Sequence, residues 1–202
     1  MPNIGRYERL KLRVEAEIPG MKVVRHGDSY FIRAIHWLLR VLSVGKFEPS
    51  RFTTTIGKHM YVSDTWMKSS DQSKYTTLRH EVIHMRQFRR WPMKFLDLPV
   101  LRLINFTIFS FCYLLVFPFR ITLRSKFERE AYTQTLLVHY EIAGQYPLRM
   151  AQNLVSHMGA NFSDSSYFYM WNNKAARKWA ADTMVAIERG EIYNILDRVN
   201  LE

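Results

Sequence analysis

Cysteine is nearly absent from this chain: Cys112 stands alone, inside the apolar run Phe111-Cys112-Tyr113-Leu114-Leu115. A single thiol makes no internal disulfide, so nothing points to an oxidising compartment, and Cys112 reads as a small buried hydrophobe. Acid is scarce as well. Lys and Arg number 29 against 18 Asp and Glu, a formal net charge of +11. Such a field favours anionic partners, nucleic acid or a membrane surface, although a basic protein can also be merely soluble and basic. Residues 1–20 mix charged and apolar positions and lack the apolar core of a signal peptide, so the cytoplasm of the producing or host cell is the expected location. The sequence has no internal repeat, low-complexity tract, P-loop, dinucleotide fingerprint or zinc-finger spacing.

What is there suits a folded domain. The 202 residues are 48% hydrophobic and 23% charged, enough for one sizeable core, and a single domain over 1–202 is expected. The first 25 residues are polar and basic, with a turn at Pro19-Gly20. Phe31, Ile35, Leu38, Leu39 and Leu42 recur at helical spacing and predict an amphipathic helix from Tyr30. Residues 52–56 and 59–62 are rich in β-branched and aromatic side chains, and Gly57-Lys58 divides them, which predicts a short hairpin or a bent strand. Helices are then expected near 74–90, with Ser70 or Ser73 as cap, and near 126–144, 148–157 and 171–189. The fold class is therefore mainly α with a small β element.

The chemistry sits at His80-Glu81-Val82-Ile83-His84. On a helix, positions i and i+4 share a face, so both imidazoles can reach one metal. Glu81 then stands beside the metal's open position, where a carboxylate can take a proton from bound water. Two unrelated histidines on an amphipathic helix would give the same string. What raises the motif above coincidence is Phe127-Glu128-Arg129-Glu130-Ala131-Tyr132, on a helix downstream. Catalytic zinc takes three protein ligands and a water, and a carboxylate from a second helix can be the third. Ala131 is small enough to let that helix approach closely. Glu130 is the expected ligand, while Glu128 suits a solvated helix start, where the dipole favours acids.

Together, H-E-x-x-H and the later E-x-E-A resemble the gluzincin metallopeptidases, in particular the M48-type and ImmA/IrrE-type peptidases. The strings Leu-Arg-His-Glu-Val-Ile-His-Met-Arg-Gln and Phe-Glu-Arg-Glu-Ala-Tyr are similar to small peptidase-like proteins of bacteria and their phages. The resemblance covers about 52–144 as a metallopeptidase-like core, with a helical extension before it and a helical tail after it. It implies zinc on His80, His84 and Glu130, Glu81 as general base, and a peptide or protein substrate. It also implies that 59–62, as an edge strand before the zinc helix, pairs with an extended substrate.

Two departures stand out. M48-type enzymes carry an aspartate where this chain has Tyr132, and thermolysin-like enzymes carry one where it has Gln134. That acid orients a zinc-bound histidine; glutamine accepts the same hydrogen bond but raises ligand basicity less. The donor for the oxyanion is open among Tyr132, His139, Tyr140 and His157.

Residues 103–119 carry no charge and are flanked by Arg102 and Arg120. Their length is at the lower end of what crosses a bilayer, about 17–25 residues. A single crossing would leave His84 and Glu130 on opposite sides of a hydrocarbon layer about 30 Å thick, whereas ligands of one zinc lie about 2 Å from it. A zinc site and a single span exclude each other, so the stretch reads as core, with attachment to a membrane surface as the minority reading. The alternative to an enzyme is a basic structural or interaction protein, of a phage particle or bound to nucleic acid or membrane, with a vestigial zinc site. The aromatic tail (Tyr167, Phe168, Tyr169, Trp171, Trp179) with Lys174, Arg177 and Lys178 would serve base stacking in that case, though its helical spacing favours core packing.

Overall fold

The computed structural model describes residues 4–42, 53–90, 123–163 and 171–192. The chain divides into two compact units, Met1–Ser110 and Phe111–Glu202. The division falls inside the charge-free stretch, so the core drawn at 52–144 has a part in each. The stretch itself, 103–119, lies outside the described residues, and among those no helix is long and apolar enough to cross a membrane. The architecture is mainly helical with one small sheet, as the patterning implies.

The first unit opens with α1, Arg6–Glu17, a helix in the segment that reads as merely polar and basic. Its signal is a narrow stripe: Tyr7, Leu10 and Val14 are buried, followed by Ile18 and Met21 beyond the helix end. Next come β1 (Lys22–Arg25), a 3-10 turn at His26–Asp28 and α2 (Tyr30–Leu42). In α2 the fully buried residue is Ile32, whereas Phe31, assigned above to the apolar stripe, is exposed. The hairpin is present as β2 (Thr54–Ile56) and β3 (His59–Val62), turning at Gly57 with φ of 63°. That left-handed backbone suits glycine.

The sheet order is β1-β3-β2. β3 pairs in parallel with β1, Val23 opposite Met60, and antiparallel with β2, Thr55 opposite Met60. This corrects the expectation of an edge strand at 59–62. β3 is the central strand, both of its hydrogen-bonding edges are taken, and it cannot add a substrate strand. Accordingly Met60, Tyr61 and Val62 are all buried. A short helix α3 (Asp64–Met67), capped by the Ser63 hydroxyl accepting from Trp66 N at 3.2 Å, leads to α4, Asp71–Arg90. Ser70 caps α4, its hydroxyl accepting from Ser73 N at 3.2 Å, so the helix starts ahead of the expected Lys74.

Charged ties fasten α1 to α4 at both ends. The Asp71 carboxylate accepts from Arg6 N at 3.0 Å and Tyr7 N at 3.3 Å, capping a helix that lies 64 or more residues away in sequence. At the other end the Arg86 guanidinium donates to both Glu17 oxygens at 2.9 and 2.7 Å, and Arg89 donates to the Glu17 carbonyl at 3.0 Å. The motif-bearing helix is thereby held along its whole length.

The second unit holds α5 (Leu123–Ala143), α6 (Leu148–Ser163) and α7 (Asn173–Glu188). Their common core joins Tyr132, Leu136 and Leu137 to Leu154, Met158 and Phe162 and to Ala176, Ala180, Met184 and Ile187. At Gly159 α6 lies close against a side chain of α7: a Cβ there would meet Arg177 Cγ at 2.5 Å. Trp171 and Trp179 pack their rings on Phe162 at 5.9 and 5.7 Å. The two tryptophans are partly buried against that core; 167–169 lie outside the described residues.

Candidate metal centre

The helical backbone of α4 places His80 and His84 one turn apart, and their Nε2 atoms are 3.2 Å from each other. Two nitrogens bound to one tetrahedral zinc at about 2.0–2.1 Å would be about 3.3 Å apart, so the pair is spaced as a zinc ion requires. On its other side, His84 Nδ1 is 2.9 Å from Gln87 Oε1. That spacing suits Nδ1 donating to the amide oxygen, the tautomer that leaves the Nε2 lone pair for a metal. The motif alone does not reveal this residue, though its signal is present: a glutamine three positions after the second histidine, on the same helix face. Glu81, between the two histidines, is buried.

The carboxylate side differs from the expectation. Along α5 the buried residues Ser125, Glu128, Ala131 and Tyr132 form one stripe, at i, i+3, i+6 and i+7. Glu128 is 5% exposed, whereas Glu130 is exposed. The donor atoms of His80, His84 and Glu128 all lie within 4.8 Å of one another. Among the described residues this is the group that could hold a metal. Residues two apart point about 200° apart at 3.6 residues per turn, so both glutamates cannot share a face. Ala131, the small residue that marks the close face, is three positions from Glu128 and only one from Glu130. Two imidazoles and one carboxylate make a donor set of borderline character, well suited to zinc.

The four candidates for an oxyanion donor separate into two groups. Tyr132, one turn after Glu128 on the same stripe, has its hydroxyl oxygen 3.1 Å from Asn161 Nδ2, which donates to it. The same Nδ2 is 3.0 Å from His157 Nε2. Burial lowers the pKa of His157, and burial with the neighbouring His157 lowers that of His139, so both rings are neutral at pH 7. Tyr140 lies apart, its ring 5.5 Å from that of Tyr146. Asn161 is the member that motif reading does not find. Gln134, the residue in the place of the thermolysin-like aspartate, is completely buried, whereas the side chain within hydrogen-bond distance of His84 Nδ1 is Gln87.

No family model, curated protein or solved structure matches the chain.

Proposed function

We propose that the chain is a zinc-dependent metallopeptidase of gluzincin type, with His80, His84 and Glu128 as ligands and Glu81 as general base. The observation that carries this reading is the grouping of two imidazoles with one carboxylate, at a spacing that suits zinc, on the helix that also bears Glu81. Zinc, when bound, supplies Lewis acidity to a peptide carbonyl and lowers the pKa of water. The protein's own residues do the rest. Gln87 holds His84 in the ligating tautomer. The Glu81 carboxylate receives a proton from the attacking water and returns it to the departing amine nitrogen. Tyr132, steadied by Asn161, is the hydroxyl positioned one turn from the carboxylate ligand.

Elemental analysis of the purified protein tests the site. One zinc per chain is expected, lost in Glu128→Ala and retained in Glu130→Ala; the reverse pattern would restore Glu130 as ligand. Glu81→Gln is expected to keep zinc and abolish hydrolysis of a casein or peptide-library substrate. Unchanged hydrolysis in that variant would remove the enzymatic reading.

A second reading is favoured by one observation: the partner of His84 is a neutral amide, where a catalytic site usually supplies a carboxylate or carbonyl. In that reading zinc is structural and the basic chain an interaction protein. It requires His80→Ala to lower the melting temperature while no peptidase activity accompanies zinc in the wild type.

A further inference from the structure

We propose that α2 docks this chain on an anionic lipid surface, lying in the plane of the headgroups. The helix, Tyr30–Leu42, contains two arginines and no acidic residue. Its buried side carries Ile32 and His36. Solvent-facing sides of helices normally carry polar residues. The opposite face here holds Tyr30, Arg33, Ala34, Trp37, Arg40 and Val41, at i, i+3, i+4, i+7, i+10 and i+11. Tyr30 is 83% exposed, Trp37 68%, Val41 56% and the neighbouring Phe31 49%. Scattered exposed apolar residues are ordinary. Four large ones on thirteen residues, interleaved only with alanine and arginine, are not.

Charge and chemistry together select the occupant. The thirteen described residues of α2 make a helix about 20 Å long, shorter than a hydrocarbon layer of about 30 Å, which suits lying on a membrane. Tyr and Trp favour the headgroup boundary, where one part of the ring is dry and the other wet. The Arg33 guanidinium lies over the Tyr30 ring at 4.9 Å, which suits a cation whose stem follows an apolar surface while its head meets phosphate. A second copy of the same face would bring cation against cation. Nucleic acid would meet the arginines and stack on Trp37 but would leave Val41 with no apolar surface to bury against. A lipid boundary satisfies both kinds of side chain, and the net charge of +11 adds attraction to an anionic leaflet.

Flotation of the full chain with vesicles tests this. Vesicles of phosphatidylcholine and phosphatidylglycerol in equal parts should carry the protein up, those of phosphatidylcholine alone should carry much less, and raised salt should weaken the association. Trp37→Ser should lower partitioning about tenfold or more, from the apolar area it removes. Arg33→Gln should lower it about fivefold, from one juxtamembrane charge. Val185→Ser, which alters an exposed apolar residue of α7, should leave it unchanged. Both α2 side chains are exposed, so helical circular dichroism should be retained; if Trp37→Ser nevertheless misfolds, Arg33→Gln and the salt series decide. The proposal is overturned if the wild type ignores the anionic vesicles, or if the two α2 variants float as it does. It is equally overturned if Val185→Ser loses as much as they do, or if a DNA duplex binds the chain while vesicles do not.

Discussion

The two units hold their candidate ligands by different means. In the first, the helix carrying His80, Glu81 and His84 is tied down by charge: Asp71 caps α1 from the start of α4, and Arg86 forks onto Glu17 near its end. In the second, the helix carrying Glu128 is oriented by shape, with Tyr132, Leu136 and Leu137 set among the side chains of α6 and α7. Charged ties fix where a helix lies along its neighbour. An apolar stripe fixes how a helix is rotated.

Acid separates the units most strongly. In the first unit His36 and His26 face each other at 4.6 Å between ring centroids. Burial, with the His26 ring adding to it, lowers the pKa of His36 from 6.5 to about 4, and burial lowers that of His26. Both rings are neutral in the fold, so the unfolded chain takes up protons first as the pH falls. Their contribution is complete above about pH 6.5 and is lost progressively down to about pH 4. For His36 the loss is on the order of 2–3 kcal/mol. In the second unit His139 and His157 shift in the same direction, but His157 is on the exposed side of α6. Hydrogen exchange read at pH 7 and about pH 4.5, near the lower end of that window, should show amides of the first unit losing protection first, and His36→Phe should flatten the difference. Equal loss in both units would break the contrast.

Two substitutions sharpen it further. Glu17→Ala leaves the Arg86 guanidinium, in a side chain only 9% exposed, without its fork partner, and should cost about 2 kcal/mol in urea denaturation. Gly159→Ala places a Cβ against Arg177 Cγ and should cost a similar amount, about 1–3 kcal/mol, through overpacking. Salt tells them apart. High ionic strength should shrink the effect of Glu17→Ala, because the wild-type pair is itself partly screened, and leave that of Gly159→Ala unaltered.

Much of this was legible because it is local. H-E-x-x-H places two imidazoles on one face by helix geometry alone, and the hairpin at Gly57 and the run of helices follow from periodicity and turn chemistry. What escaped reading depends on partners distant in sequence. Val23 and Val24 make a strand only because β3 lies alongside, and their arrival turns an expected edge into the sheet's centre. The α1 stripe of Tyr7, Leu10 and Val14 is narrow enough to be hidden among charges until Asp71 and Glu17 show what it packs on. Glu128 and Ala131, three positions apart and both buried, share a face of α5.

Gln87 offers the finest test of how the histidine half is held. If its oxygen fixes the hydrogen of His84 on Nδ1, then Gln87→Ala lets the ring turn and change tautomer without removing any ligand. Partners of this kind cost roughly 10–100-fold in metal affinity when removed, and a neutral amide belongs near the lower end of that range. Competition with a zinc chelator should therefore give about a tenfold weaker site in Gln87→Ala, with unchanged stoichiometry. Gln87→Glu keeps an acceptor at the same place and adds charge, so it should bind zinc at least as tightly as the wild type. If both variants weaken the site equally, the glutamine serves packing on α4 and the orientation of His84 has another source. If only the alanine does, the hydrogen bond of 2.9 Å is what readies the helix for its metal.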